Sequence, residues 1–203
     1  MKYRLGALVI LSIIFVLAQC KKKEKPLDGC GIIDDGGIIY TDTCNLHPQL
    51  CGKRFDEVTF LMTHNAHANQ DDFSALAANQ DGDITAQLEA GVRGIGIKVY
   101  NTSGSATAWL FCSGAPDDLY CYHGDPTFGC ETFQRQLLEI KAFLDANPKE
   151  VIPMTIEGDA PPNEVMAAFT AEGLDSYMHE QDHSQPWPTL QEMIDSNKRL
   201  VVF

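Results

Sequence analysis

The segment VTFLMTHN at residues 58–65 is a β-branched and apolar run that ends in a histidine and an asparagine. Similar runs return as GIGIKVY at residues 94–100, VIPMTIE at residues 151–157 and LVVF at residues 200–203. Runs of this length and composition predict buried strands. In the first and third runs a polar side chain follows the apolar residues, at the place where the strand is expected to end.

Helical periodicity occupies the intervals between these runs, with apolar residues recurring every three or four positions. The predicted helices cover residues 84–90, 132–146, 162–172 and 190–196. Shorter extended pieces are predicted at residues 109–112 and 119–122. Strands that alternate with helices predict βαβ units and a parallel sheet.

The chain contains neither a Gly-x-Gly-x-x-Gly turn nor a P-loop, and its candidate polar residues fall at strand ends. In a (β/α)8 TIM barrel, an α/β fold, chemistry takes place at that rim. A full barrel takes about 250 residues, and residues 55–203 are far fewer. We therefore expect about the first half of an eight-stranded barrel, with a smaller open α/β sheet as the alternative.

Composition limits the possible functions. The chain has 203 residues, of which 44% are apolar, so one domain with a packed core is expected. Its net charge of −13 excludes nucleic acid as an expected partner. Seven cysteines indicate an oxidising compartment.

The N-terminus has the anatomy of a secretory signal peptide, with a basic start and an apolar run at residues 5–18. Residues 1–19 are therefore interpreted as a signal peptide. The following Cys20, next to a lysine run, resembles the lipidated cysteine of a bacterial lipobox. This predicts an exported lipoprotein anchored in a membrane at the periplasmic or cell surface; the alternative is a plain secreted protein. Residues 20–54, rich in Cys, Gly and Asp, are interpreted as an irregular, disulfide-stapled lead-in.

Four motifs follow one another at the predicted strand ends: THNAH at residues 63–67, GVRGIGIK at residues 91–98, YHG at residues 122–124 and IEG at residues 156–158. Their order and spacing resemble the catalytic X domain of phosphatidylinositol-specific phospholipases C. The resemblance covers residues 55–203, which are interpreted as a catalytic domain of this type.

The resemblance implies cleavage of a phosphodiester in an inositol phospholipid, with the substrate's own 2-hydroxyl as the nucleophile. His64 is then the general base and His123 the general acid. Imidazole suits both roles because it titrates near pH ~6.5. His67 is the neighbour most easily mistaken for a catalytic residue.

Members of this family neutralise the phosphate in two ways. One type binds calcium through an asparagine, two acids on the second strand and a glutamate; the other places an arginine where the cation would lie. Here the second-strand positions hold Gly96 and Lys98. The resemblance therefore implies no cofactor, with Lys98 as the cation and Asn65, Glu157 and Lys98 around the phosphate. The alternative is calcium bound by Asn65 and Glu157.

The sequence also allows expectations for Gly96, for Arg93 and for the cysteines. Gly96 departs from both types, which expect a carboxylate there, and Arg93 is expected to form a structural ion pair. Relatives with a similar cysteine pattern suggest a Cys121–Cys130 disulfide; Cys112–Cys121 is the local alternative. Competing functions are a non-catalytic lipoprotein that binds inositol phosphates or glycans, and another phosphodiesterase of the glycerophosphodiesterase or sphingomyelinase type.

Overall fold

The computed structural model describes residues 32–34, 37–39, 43–102, 105–112 and 119–203. The predicted signal peptide, the predicted lipidation site Cys20 and the cysteine Cys30 lie outside these ranges. Among the described residues, none of the helices has the length and apolar character needed to cross a membrane.

After residue 58, most of the regular elements follow the order that the sequence predicts. The strands are β1 (Ile32–Asp34), β2 (Gly37–Ile39), β3 (Met62–Thr63), β4 (Gly94–Asn101), β5 (Leu119–Cys121), β6 (Glu131–Thr132), β7 (Ile152–Gly158) and β8 (Leu200–Val202). The helices are α1 (Ile84–Glu89), α2 (Ala106–Phe111), α3 (Phe133–Ala146), α4 (Pro162–Ala171) and α5 (Leu190–Asp195).

Four of the strands form a parallel sheet in the order β3–β4–β7–β8. The short strands β5 and β6 form an antiparallel hairpin that continues from the far end of β4. One edge of β4 pairs with β7 over residues 95–99. The other edge pairs with β3 at residues 94–95 and with β5 at residues 100–101, so residues 96–99 lie between two pairings.

The main core lies between one face of this sheet and helices α1, α3 and α4. Alternate residues of β4 point to it, and Ile95, Ile97 and Val99 are at most 1% exposed. Helix α3 presents the face formed by Phe133, Leu137, Ile140 and Leu144, the spacing that the sequence predicts. A second apolar cluster, containing Phe55, Val151, Leu190, Met193 and Val201, packs helix α5 and the segment before β3 against the sheet.

Three local predictions are wrong. Residues 109–111 are not extended but belong to α2, because Ser105 accepts a hydrogen bond from the Ala108 amide and caps a helix; Cys112, which follows the helix, is extended. The strand expected from residue 58 begins only at Met62; before it, the Phe60 ring packs 5.1 Å from that of Phe55. The lead-in is also not wholly irregular, since β1 and β2 form an antiparallel hairpin.

The predicted Cys121–Cys130 disulfide is wrong as well, and so is its Cys112–Cys121 alternative. The structure joins Cys112 to Cys130, and Cys44 to Cys51, and leaves Cys121 as a buried thiol. The alternation of side chains along β5 explains this. Tyr120 points to the Cys112 cluster, so the next residue, Cys121, points to the main core on the opposite face.

Candidate active site

His64 and Asn65 form a tight turn at the carboxyl end of β3. Asn65 has a left-handed backbone (φ 50°) and a buried side chain, whereas the His64 side chain is exposed. Asparagine tolerates this conformation better than most residues. The turn is fixed to the neighbouring strand because the Ala66 amide donates to the Gly96 carbonyl at 2.8 Å.

Gly96 allows this turn to approach β4 closely. A Cβ atom at position 96 would lie 3.0 Å from the Thr63 carbonyl oxygen and 3.3 Å from Thr155 Oγ1. Such contacts are tighter than ordinary van der Waals packing. The glycine that departs from the expected carboxylate therefore has a structural reason: a side chain there would crowd the strand end that carries His64.

Lys98 and Glu157 form an ion pair across the two central strands. They are register partners on β4 and β7, and Lys98 Nζ lies 3.3 Å from Glu157 Oε2. The Lys98 side chain is 26% exposed and that of Glu157 is 54% exposed, so the pair is open to solvent at the rim. An exposed pair of this kind contributes little stability, at most about 1 kcal/mol. Its effect is to hold the ammonium group in place.

His123 follows β5 and approaches from the opposite direction. Its Nδ1 lies 2.8 Å from the Ala77 carbonyl oxygen. The loop after it continues through a short 3-10 helix at Pro126–Phe128 to Gly129, which has φ 142° and packs against the Phe73 ring. Cys130 ends the loop with its disulfide to Cys112.

The two histidine segments converge on the same edge of β4. Strand β3 runs parallel to β4 and ends opposite Ile95, whereas β5 runs antiparallel from the other end and begins opposite Asn101. The segments that follow these strands and carry His64 and His123 therefore run toward each other beside residues 96–99. Lys98 lies in that same stretch of β4.

His67 lies beneath this site and is fully buried. Its ring meets the Phe73 ring edge-on, with 5.9 Å between the two ring centres. Neither of its ring nitrogens forms a hydrogen bond with a described residue. Burial is the main cause that lowers the pKa of His67 to about 4. The Tyr122 backbone raises this pKa, but by less. Repulsion from His123, Lys98 and His64, when these side chains are protonated, is a smaller part of the same lowering. His67 is thus a neutral, inaccessible ring and unsuited to direct proton exchange with a substrate.

Arg93 occupies a different environment from the other motif residues. It is 8% exposed, its Nε donates to Glu150 at 2.6 Å, and its guanidinium carbon lies 4.9 Å from the centre of the Phe143 ring. Its Nη1 also donates to the carbonyls of Leu88 and Val92. Arg93 is therefore a structural ion-pair residue, as the sequence predicts.

The alternative calcium site does not fit this arrangement. The residues expected to bind it are Asn65 and Glu157, but the Glu157 carboxylate faces an ammonium group and position 96 has no side chain. Within the described part of the chain, no three His, Cys, Asp or Glu side chains are grouped so that they could hold a metal ion. The donor set lacks the several carboxylates that calcium prefers.

Sequence reasoning missed the residues that link the two histidines. Asn79 Oδ1 accepts a hydrogen bond from Asn65 Nδ2 at 3.0 Å, and Gln80 Nε2 donates to the His64 carbonyl at 2.8 Å. Both residues lie in a loop without periodic patterning. Their only sequence signal is a run of polar amides between β3 and α1, which is too common to single them out.

Known proteins of one family match this chain. The family model of the PI-PLC X domain (PI-PLC X 1) matches residues 50–203. A PI-PLC X domain-containing protein of Arabidopsis thaliana is 30% identical over an alignment of 168 residues, and the match covers 75% of this chain and 36% of that protein. PI-PLC X domain-containing protein 1 of Arthroderma benhamiae is 29% identical over an alignment of 166 residues, and the match covers 79% of this chain and 50% of that protein.

Solved structures show the same fold at lower identity. The phosphatidylinositol-specific phospholipase C of Staphylococcus aureus matches with a TM-score of 0.53 and 18% identity, over 75% of this chain and 49% of that one. The enzyme of Listeria monocytogenes matches with a TM-score of 0.53 and 19% identity, over 75% and 53%. The chain thus spans about half the length of these proteins or less, with a mixed α/β fold that resembles theirs. Since the family model covers most of its length, the chain belongs to the PI-PLC X family.

Proposed function

We propose that this protein is a phosphodiesterase that cleaves an inositol phospholipid by acid–base catalysis with His64 and His123. One observation supports the proposal most strongly: the segments that carry the two histidines run toward each other along one edge of β4, and Lys98 lies in the four-residue stretch between their strands. Family membership and the likeness to phosphatidylinositol-specific phospholipases C support this class of substrate.

In the proposed reaction the inositol 2-hydroxyl attacks its own phosphorus. His64 accepts the hydroxyl proton as the new P–O bond forms. The bond from phosphorus to the diacylglycerol oxygen then breaks, and His123 gives that oxygen a proton. The products are a cyclic inositol phosphate and diacylglycerol. His64 ends with one proton more and His123 with one proton fewer. General acid–base groups of this kind contribute about 10²–10⁴-fold to the rate.

Lys98 is proposed to neutralise the negative charge that develops on the phosphate oxygens, a contribution that is often large in catalysis. Its pairing with Glu157 keeps the ammonium group at the rim. Asn65 is proposed to support the phosphate site from beneath, since its Oδ1 is buried and has no hydrogen-bond partner among the described residues. A divalent cation beside Lys98 would meet like charge, so activity is expected without metal.

The larger setting of the site is also a proposal. We interpret β3, β4, β7 and β8 as the first four strands of a (β/α)8 barrel, with the site at its carboxyl-terminal rim. Anchoring through lipidated Cys20 would place the protein at a membrane surface. Metabolic labelling with a fatty-acid analogue tests the anchor: Cys20→Ala should abolish the label, and persistent labelling would refute it.

The direct test is turnover of phosphatidylinositol vesicles in EDTA. His64→Ala and His123→Ala should each lower kcat by about 10²-fold or more, and Lys98→Met by about 10²-fold. The matched controls are His183→Ala, an exposed histidine elsewhere, and Lys141→Met, a lysine paired with Asp145 on α3; both should retain activity. Loss of activity in EDTA with recovery in calcium would contradict the role of Lys98.

A second candidate is a non-catalytic protein that binds inositol phosphates, and the absence of a side chain at position 96 favours it. A binding protein would give different results in these assays from a phosphodiesterase. Inositol phosphate would bind, Lys98→Met would weaken binding, and no variant or wild-type protein would turn over phosphatidylinositol with or without calcium.

A further inference from the structure

The four residues Ala77–Gln80, which we term the clasp, contact both histidine segments. The Ala77 carbonyl oxygen lies 2.8 Å from His123 Nδ1. Asn79 Oδ1 accepts from Asn65 Nδ2 at 3.0 Å, and Gln80 Nε2 donates to the His64 carbonyl at 2.8 Å. One short segment therefore bridges the turn after β3 and the loop after β5, which come from opposite ends of β4.

The clasp has its own backbone support. The amides of Asn79 and Gln80 both donate to the Ala68 carbonyl, at 2.7 and 3.1 Å, and the amide of Ala77 donates to the Ser74 carbonyl at 2.9 Å. Ala77 is 4% exposed and packs with Ala68 and Phe73 in a small apolar cluster. Because these contacts fix the clasp independently of the histidines, it can serve as a reference that sets their positions.

The contact at Ala77 fixes the proton arrangement of His123. A backbone carbonyl can only accept a hydrogen bond, so His123 Nδ1 must carry a hydrogen. The other nitrogen, Nε2, is then the atom left to exchange a proton with a ligand. Nδ1 carries its hydrogen in both the neutral and the charged ring, so the Ala77 carbonyl can accept from it in either protonation state.

The contact at Asn79 fixes the Asn65 amide beside His64. Asn65 is 1% exposed, and its Nδ2 lies 3.0 Å from Asn79 Oδ1 and 3.4 Å from His64 Nδ1. The longer distance shows that Asn79, rather than the imidazole, is the stronger partner of the amide. The orientation of the Asn65 side chain, and with it the surroundings of His64 Nδ1, therefore depends on Asn79.

We infer that Asn79 is a positioning residue for His64, and that the clasp sets the spacing of the two histidines. The functional part of this inference rests on the proposed phosphodiesterase activity; the structural part does not. Misplacement of a reacting group by about 1 Å can lower a rate by about 10²-fold, so loss of the Asn79 contact is expected to lower kcat more than it changes KM.

The test combines ¹⁵N NMR titration of the imidazoles with turnover of phosphatidylinositol, using Asn79→Leu, Asn79→Asp and the control Gln70→Leu. Gln70 donates to Asp81 at 2.8 Å in the same loop and has no hydrogen bond to either histidine.

Asn79→Leu should change the tautomer and titration of His64, leave His123 as the Nδ1–H tautomer, and lower kcat by about 10-fold or more. Asn79→Asp keeps an acceptor and should restore most of kcat, with the acid limb of the pH profile moved to higher pH because a carboxylate favours imidazolium. Gln70→Leu should match wild type.

The two parts of the inference fail in different ways. If Asn79→Leu leaves both the His64 signals and kcat as in wild type, Asn79 is not a positioning residue. If it changes the His64 signals but wild-type protein has no turnover, the positioning role stands and the proposed function is wrong. If Asn79→Leu melts well below wild type, Asn79→Asp decides: unchanged His64 titration beside the new carboxylate would overturn the inference.

Discussion

The buried His67 makes a quantitative prediction about acid stability. An unfolded chain binds a proton on this histidine near pH 6.5, whereas the folded protein does so only near pH 4, since burial lowers the pKa of His67 to about 4. Between these values the unfolded state binds more protons, so stability rises with pH and is lost as the pH falls. His67 should therefore favour unfolding increasingly below pH 6.5.

The size of the effect follows from the two pKa values. Relative to neutral pH, proton binding at His67 alone should lower the free energy of unfolding by about 2 kcal/mol at pH 5 and by about 3 kcal/mol at pH 4. The pKa of about 4 for His67 already includes the repulsion from His123, Lys98 and His64. Below pH 4 the contribution of His67 should level off.

The variant that tests this is His67→Met, which replaces the ring by a flexible apolar side chain that can pack against Phe73. The assay is urea unfolding of wild type and variant from pH 4 to pH 8, followed by circular dichroism. The difference between their unfolding free energies should change by about 3 kcal/mol over this range, in favour of the variant at low pH. A difference that stays constant with pH would refute this account of His67.

Three further predictions concern other parts of the fold. Arg93→Met should lower the free energy of unfolding by about 3–5 kcal/mol because it leaves the Glu150 carboxylate buried and unpaired; the double variant Arg93→Met/Glu150→Leu should recover most of this loss in urea unfolding, and equal losses would contradict the ion-pair reasoning. Replacing both Cys112 and Cys130 by alanine should speed hydrogen exchange of residues 122–130, whereas the same change at Cys44 and Cys51 should not, and uniform exchange in both variants would show that the disulfide does not restrain the His123 loop. Cys121 should resist thiol reagents until the protein unfolds, because burial raises its pKa and excludes the reagent; reaction in the native state would show that β5 opens.

Much of the fold is readable from the sequence because the periodic segments are strong. Helix α3 and strands β4, β7 and β8 are predicted within two residues of their observed bounds. Their apolar residues alternate, or recur at helical spacing, over enough positions to leave one interpretation. Because these elements carry Lys98 and Glu157, the register that pairs the two residues follows from the fold.

The incorrect secondary-structure predictions lie in segments whose sequence pattern is short, or whose conformation is set by tertiary packing. The run at residues 58–61 is as apolar as a strand, yet Phe60 packs against Phe55 before β3 begins. In the lead-in, Asp-Gly between two pairs of isoleucines is a hairpin signal that could have predicted β1 and β2. The capping serine before α2 was likewise a usable signal.

The disulfides and the clasp could not be predicted from local sequence. Pairing of Cys130 with Cys112 depends on which face of β5 each neighbour points to, and this requires knowledge of the strand register. The contacts of Asn79 and Gln80 depend on how a non-periodic loop folds back on β3. The order of motifs predicts which side chains reach the site, whereas the loops that position them emerge only from the structure.

In the proposed reaction the substrate's own hydroxyl attacks the phosphorus, with His64 and His123 as base and acid. The most direct measurement is ³¹P NMR of the water-soluble product formed by wild-type protein from phosphatidylinositol vesicles in EDTA and H₂¹⁸O. We expect a cyclic inositol phosphate without ¹⁸O as the first product, and its absence with His64→Ala or His123→Ala. A first product that is an ¹⁸O-labelled monoester would show direct attack by water and contradict the proposed reaction.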